Sequence, residues 1–275
     1  MLFLVATPIG NLADMTFRAV STLKECIYIL AEDTRHSRIL LEHYQIKTPL
    51  KSFHKFNEVG REEGVISDLQ KGKTIALISD AGMPSIADPG ALLVARCRSL
   101  GIEVTVLPGP SAFVTALVLS GWGEKSSQFM GFLPKKESDL KKVLSLALTY
   151  AGISIAYETA KRLVKTLSFL KESAPSRKIA VARELTKKHE EYKEGSPGEL
   201  LLYYQAHAPK GEIVLLIDEA PLKIREISDE EILLRVQERQ EIPLSESIRQ
   251  VAKELNIPRK RVYQIAILAL KGLDC

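Results

Sequence analysis

The apolar residues of the chain fall into two registers. Short apolar runs at 2–6, 27–31 and 75–78 show no alternation, which suits strands buried on both faces, and 102–107, broken by Glu103 and Thr105, reads as a fourth strand. Between them, apolar residues recur about a turn apart, as in Phe17, Val20 and Leu23, or in Ile39 and Leu40 beside His43. This spacing predicts amphipathic helices, with a further one over 91–100 and an apolar one over 113–119. Each run closes on a polar turn. Strand, polar turn and helix in repeated succession describe a parallel sheet with crossover helices. A first α/β domain is expected over 1–112.

The same grammar resumes near Phe129. A helix to about 150, strands at 153–157, 179–182 and 213–217, and a helix to about 172 predict a second α/β domain over 113–222. After it the pattern changes. Ser228-Asp229-Glu230-Glu231 reads as a capping box. Ile248, Val251, Ala252 and Leu255 keep helical spacing, and Val262, Ile265, Ala266 and Ala269 repeat it after the turn Asn256-Ile257-Pro258. Residues 223–275 are expected to form a small helix-turn-helix-like domain, with Arg259, Lys260 and Arg261 opening its last helix. A plain helical hairpin is the alternative.

The stretch 74–90 is where ligand chemistry concentrates. Its strand stops at Ser79-Asp80-Ala81-Gly82, placing a carboxylate and a glycine at a strand's carboxyl end, the edge where open α/β sheets bind ligands. Asp88-Pro89-Gly90 then launches the next helix. A loop of this size exceeds what connectivity requires. Similar polar loops at 7–11, 32–36, 108–112, 157–162 and 183–188 bring the number to six, and together they imply one cleft lined by both domains.

Composition narrows the class more than the chemistry. The 275 residues are 45% apolar and 26% charged, ordinary for a globular protein, and the net charge of +4 is compatible with a nucleic-acid partner without requiring one. Cys26, Cys97 and Cys275 show no pairing or metal spacing, and read as reduced thiols of a cytoplasmic protein. The first residues lack the basic start of a signal peptide, and no run has the length of a membrane span. Five scattered histidines offer no metal site. Neither a Walker A loop, a G-x-G-x-x-G fingerprint nor a Gly-x-Ser-x-Gly elbow is present.

Six motifs taken in order are more specific than any of these features: Thr7-Pro8-Ile9-Gly10-Asn11-Leu12, Glu32-Asp33-Thr34-Arg35, Ser79-Asp80-Ala81-Gly82, Pro108-Gly109-Pro110-Ser111-Ala112, Gly131-Phe132-Leu133-Pro134 and Arg183-Glu184-Leu185-Thr186-Lys187. As a set the chain resembles the tetrapyrrole methylase family over nearly its whole length. It looks most like those members that methylate a cytidine ribose 2′-hydroxyl in small-subunit (16S) ribosomal RNA. The resemblance implies a tetrapyrrole methylase-like fold of two α/β domains, S-adenosylmethionine bound between them without a metal, a cytoplasmic homodimer, and small-subunit rRNA or the 30S particle as partner. Position by position it implies donor contacts at Pro8, Ser79, Asp80, Met83, Ser111, Ala112, Tyr157, Glu158, Ala182 and Arg183. Two departures stand out. Met83 replaces the usual threonine, and Ala160-Lys161 replaces the usual proline and histidine before Arg162; lysine cannot shuttle protons as imidazole does.

On the acceptor side, orientation supplies roughly 7–11 kcal/mol of barrier reduction, and a general base a further ~10²–10⁴-fold. Asp33 or Glu32 suits the base, and Arg35 a flanking phosphate through its planar fork. A helix N-cap with a local ion pair explains the same residues structurally. His54 and Asn57 suit base or ribose contacts, or a surface loop. Lys135, Lys136, Lys187, Lys188 and the cations at 259–261 suit RNA backbone, or a solvated charge run. Two other functions share these features: a C-methyltransferase acting on a tetrapyrrole, and a ligand-sensing DNA-binding regulator.

Overall fold

The computed structural model describes residues 1–220, 227–239, 241–255 and 257–271, the last four in backbone only. The expected 222/223 boundary, Asn256 and Cys275 lie outside the described residues. The chain divides into two compact units, Met1–Ala220 and Pro221–Cys275.

The first unit holds two five-stranded sheets. Strands β1 (Leu2–Val5), β2 (Tyr28–Ala31), β3 (Leu50–Ser52), β4 (Ile75–Ile78) and β5 (Val104–Leu107) build the first, connected by α1 (Phe17–Glu25), α2 (Thr34–His43), α3 (Glu58–Gln70) and α4 (Ala91–Ser99). The strand order is β3-β2-β4-β1-β5, every pairing parallel. Helices cover both faces: Leu30, Ile75 and Leu77 pack under Leu69 and Leu93, while Ile29, Ala76 and Ile78 pack under Leu23 and Leu41. Two-sided burial is why β2 and β4 read as unbroken apolar runs.

The second sheet follows α5 (Ala112–Ser120). It comprises β6 (Ser127–Phe132), β7 (Ile153–Thr159), β8 (Ile179–Arg183), β9 (Glu191–Gly195) and β10 (Glu212–Ile217), with α6 (Glu137–Thr149), α7 (Ala160–Ser173) and α8 (Pro197–Ala206) between them. Its order is β6-β7-β10-β8-β9, parallel only between β6 and β7. The last strand of the unit therefore sits at the sheet's centre. Ala116 of α5 joins Ile155, Ala180 and Leu216 on one face, and α6, α7 and α8 close the other.

Several elements escaped the periodicity. The edge strands β3 and β9 are half-buried or exposed and carry no apolar run. Helix α3 is polar and contains Gly60 and Gly64, which weakens its signal. Phe17, expected on the buried face of α1, is 99% exposed; Leu23 is buried as expected, with Val20 packed beside it, and Ala19 takes the remaining place on that face.

Among its described residues the second unit holds three helices, α9 (Asp229–Gln237), α10 (Leu244–Glu254) and α11 (Arg259–Lys271). Ser228 caps α9 by accepting the Glu231 N–H at 3.1 Å. Ile232, Val236, Ile248, Val251, Val262 and Ala266 form its core, in keeping with the helical spacing in the sequence.

Candidate active site

Parallel pairing puts the carboxyl ends of β1, β2 and β4 side by side, so their loops meet. Thr7 and Gly82 exchange backbone hydrogen bonds of 2.9 and 3.0 Å, and the Thr7 hydroxyl donates to Ser79 O at 3.1 Å. The Ser79 hydroxyl in turn donates to Gly82 O at 3.1 Å. These contacts hold the 79–90 loop in a shape that needs left-handed backbone at Ser85 and Ala87, with φ of 67° and 65°. Non-glycine residues rarely adopt such φ, and the strain collects at sites where backbone is posed for a ligand. Gly90, at φ 119°, ends the loop with its N–H donated to Glu58 of α3 at 3.2 Å.

The loop after β2 is a helix cap. Asp33 Oδ1 accepts the Arg35 N–H at 2.8 Å, and its carboxylate meets the Arg35 guanidinium at 3.3 Å. The Arg35 guanidinium hydrogen bond holds the Asp33 carboxyl below its ordinary range. Asp33 N–H donates to Asp80 Oδ1 at 3.1 Å, tying the two strand ends together.

These loops and the second sheet enclose a cavity of about 340 Å³, within the roughly 300–1,000 Å³ of small-molecule sites. One wall is acidic. Glu32 reaches it from the loop after β2, and Asp80 and Asp88 from the two ends of the 79–90 loop. Burial, then the Glu32 and Asp80 charges, push Asp88 up to about 7, while burial and Asp80 raise Glu32. The opposite wall is apolar: Ala112 at the start of α5, Ala182 of β8, and Ile213 and Val214 of β10. Tyr157 meets Phe132 edge-on at 5.2 Å at one end. The carboxylate of Glu158 is fully buried and bonded to Arg162 at 2.7 Å, Thr166 Oγ1 at 2.7 Å and the Thr159 N–H at 2.7 Å. Arg162 also donates to Leu133 O and Pro134 O, fixing the loop that carries Phe132.

Of the residues expected around the donor, Asp80, Met83, Ser111, Ala112, Tyr157, Glu158 and Ala182 line this cavity, as does Glu32 from the acceptor set. Pro8 and Ser79 line an adjoining recess instead. Arg183 faces a separate groove, paired with Glu191 at 3.3 Å. Asp33 and Arg35 are outside the cavity lining, and Arg35 is 91% exposed. His54 is half-buried, with Nδ1 unpartnered and Nε2 3.2 Å from the Asn57 amide. Two contributors had no distinct sequence signal as site residues. Asp88 reads as a turn, and β10, which lines the cavity with Ile213 and Val214, as a core strand.

Residues 1–201 match the family described as Tetrapyrrole (Corrin/Porphyrin) Methylases. The chain belongs to the tetrapyrrole methylase family. It is 42% identical to the ribosomal RNA small subunit methyltransferase I of Synechocystis sp., over 97% of both chains. With the protein of the same name from Bacillus subtilis it shares 40%, over 96% of this chain and 92% of the relative. Among tetrapyrrole methylases of known structure, the uroporphyrin-III-C-methyltransferase of Thermus thermophilus superposes with a TM-score of 0.56 at 19% identity. That match covers 79% of this chain and 93% of the other.

Cations expected at RNA lie in different settings on this tetrapyrrole methylase. Lys135, Lys136 and Lys188 are exposed. Lys187 is paired with Glu184 at 2.9 Å and Glu212 at 3.0 Å. In the helical unit Arg259 and Lys260 are exposed, whereas Arg261 pairs with Asp229 at 3.0 Å and donates to Ile227 O at 2.8 Å. Among the described residues no group of His, Cys, Asp and Glu is arranged to hold a metal ion, and no helix is long and apolar enough to cross a membrane.

Proposed function

We propose that the protein is an S-adenosylmethionine-dependent methyltransferase that modifies the ribose 2′-hydroxyl of a cytidine in small-subunit ribosomal RNA. The observation that carries this reading is the extent of the similarity. The family model ends at 201, yet identity to relatives named for ribosomal RNA covers 97% of the chain. The fold shared with porphyrin methyltransferases covers 79% and leaves a remainder that a tetrapyrrole substrate does not call for.

The cavity fits the donor. Its apolar wall suits an adenine and its acidic wall suits a molecule with sulfonium and ammonium charges. Bound there, S-adenosylmethionine supplies an electrophilic methyl group. The protein's own task is placement. Asp80, Ser111, Ala112 and Tyr157 orient the donor, Glu32 and Asp88 face its charge, and the strained 79–90 loop excludes water from that wall. Asp33 and Arg35, exposed at the start of α2, face the acceptor strand and its phosphates.

Mass spectrometry of nuclease-digested small-subunit RNA from cells lacking the protein is the test. One missing ribose methyl, restored by the purified enzyme, is the expected result, and an unchanged methylation pattern would sink the reading. The C-terminal unit is assigned to the RNA. Within it Arg259 and Lys260 are exposed at the start of α11. Truncation after Ala220 should leave donor affinity within about twofold and weaken binding to small-subunit particles. Every phosphate that the shortened chain no longer neutralises reduces the slope of log affinity against log salt by about 0.7–0.9. Loss of the donor with retention of the particle would reverse the assignment.

A homodimer belongs to the same proposal. Val114 and Val118 share one face of α5 and are 45% and 73% exposed, beside an exposed Leu119. Such a stripe suits burial against a second copy. Sedimentation at micromolar concentration should give twice the chain mass of 30.5 kDa; a monomer would contradict it.

A further inference from the structure

Beside the donor cavity lies a smaller recess of about 220 Å³. It is on the scale of one nucleoside, and falls below the roughly 300–1,000 Å³ that hold larger ligands. Ile9, Asp80, Ala81 and Glu212 form a wall common to both spaces, so an occupant of one abuts an occupant of the other. The facing wall is α2, which presents His36, Ser37 and Leu40, with Ile39 at the rim and 61% exposed.

Ser37 is the informative residue. It is 2% exposed, it lines the recess, and its hydroxyl has no hydrogen-bond partner. Buried polar groups are nearly always bonded, so an orphan hydroxyl in a cavity wall marks where a ligand supplies the missing partner. Apolar Ile9 and Leu40 beside it suit the faces of a flat heterocycle. Two residues earlier on the same helix, Arg35 projects into solvent, open to a backbone phosphate.

We infer that this recess is the acceptor pocket: it receives one ribonucleoside swung out of its strand, with the ribose against the Asp80 wall and a base heteroatom on the Ser37 hydroxyl. Enzymes that act on a single nucleotide extrude it from its stack, and unstacked bases of single-stranded RNA are read by such pockets. The inference rests on the reading of the protein as an RNA ribose methyltransferase, and it names where the substrate sits.

The test uses the full chain and two variants. Ser37→Ala removes the hydroxyl, and Ile39→Trp, at an exposed position, covers the mouth without disturbing the core. Calorimetry with S-adenosylmethionine reports the donor cavity, methyl transfer to small-subunit particles reports turnover, and an RNA with 2-aminopurine next to the target nucleotide reports unstacking. Ser37→Ala should raise KM for the particle about three- to tenfold, as loss of one hydrogen bond does, with kcat and donor affinity within about twofold. Ile39→Trp should lower kcat/KM at least tenfold and abolish the fluorescence rise, while the RNA still binds through its phosphates. If wild type methylates the particle and Ile39→Trp matches it in rate and fluorescence, the pocket is overturned and the functional reading stands. If wild type methylates no small-subunit RNA, the functional reading falls and the pocket with it.

Discussion

Arg162→Ala should destabilise the larger unit by about 3–5 kcal/mol, the usual cost of stranding a buried charge. Glu158 has no solvent exposure at its carboxylate, and Arg162 is its ionic partner at 2.7 Å. Thr166 and the Thr159 N–H would remain, but they donate hydrogen bonds without bringing a positive charge. The same change frees Leu133 O and Pro134 O, which accept from Arg162 at 3.0 and 2.9 Å. For a domain of this size a loss on that scale lowers Tm by roughly 6–20 °C. Arg162→Lys keeps the charge without the fork and should fall in between. The double variant Glu158→Gln with Arg162→Met removes both charges and should recover much of the loss. A Tm within about 2 °C of wild type for Arg162→Ala would show that the pair is dispensable.

The second large effect is one of pH. Asp88 is raised from an ordinary 3.8 to about 7, chiefly by burial and then by Glu32 and Asp80. A carboxyl raised in the native state holds its proton more tightly there than in the unfolded chain. Its stabilising effect is thus fully present below about pH 4 and is lost as pH rises through about 7. At 1.36 kcal/mol per pH unit the decline amounts to roughly 2–4 kcal/mol, the lower figure allowing for the part of Asp88 that solvent reaches. Asp88→Asn should flatten that slope, leaving the variant more stable than wild type near pH 8. A cationic donor favours the ionised acids, so wild-type affinity for S-adenosylmethionine should rise between about pH 6 and 8, and the variant's should not. Denaturant titrations and calorimetry across this range decide it. Parallel curves for the two proteins would place the titration on another group.

Legibility of the fold followed burial. β2 and β4 are covered on both faces, and their unbroken apolar runs stood out in the sequence; the i, i+3, i+4 spacing of Ile248, Val251 and Ala252 did the same for α10. The edge strands β3 and β9 have little to bury and left no run. Periodicity also could not tell that β10 runs antiparallel to both its neighbours, because an apolar strand reads alike in either direction. In the site, Asp80 was legible since its own strand end announced it. Asp88 was not. Its environment is made by burial, by Glu32 from another loop and by Asp80 at the far end of its own, and Pro89-Gly90 beside it gave the stretch the look of an ordinary turn. Ser37 was hidden for a similar reason, being one polar residue on a helix whose recess is closed by loops from elsewhere.

The central place of β10 also governs how the protein can be made. Strands β7 and β8 are synthesised well before the strand that joins them, and in the native sheet they never pair with each other. At about 5–20 residues per second, the nascent chain carries two unpaired apolar strand edges for a few seconds until residue 217 emerges. Unpaired edges recruit whatever strand is nearest, including one from a neighbouring nascent chain. Slow translation between residues 183 and 217 would lengthen that exposure, and a fragment ending with the family match at 201 would never end it. Expression trials should therefore favour chains that run through Ile217, and holdase chaperones should raise the yield of soluble protein more than they change its final stability.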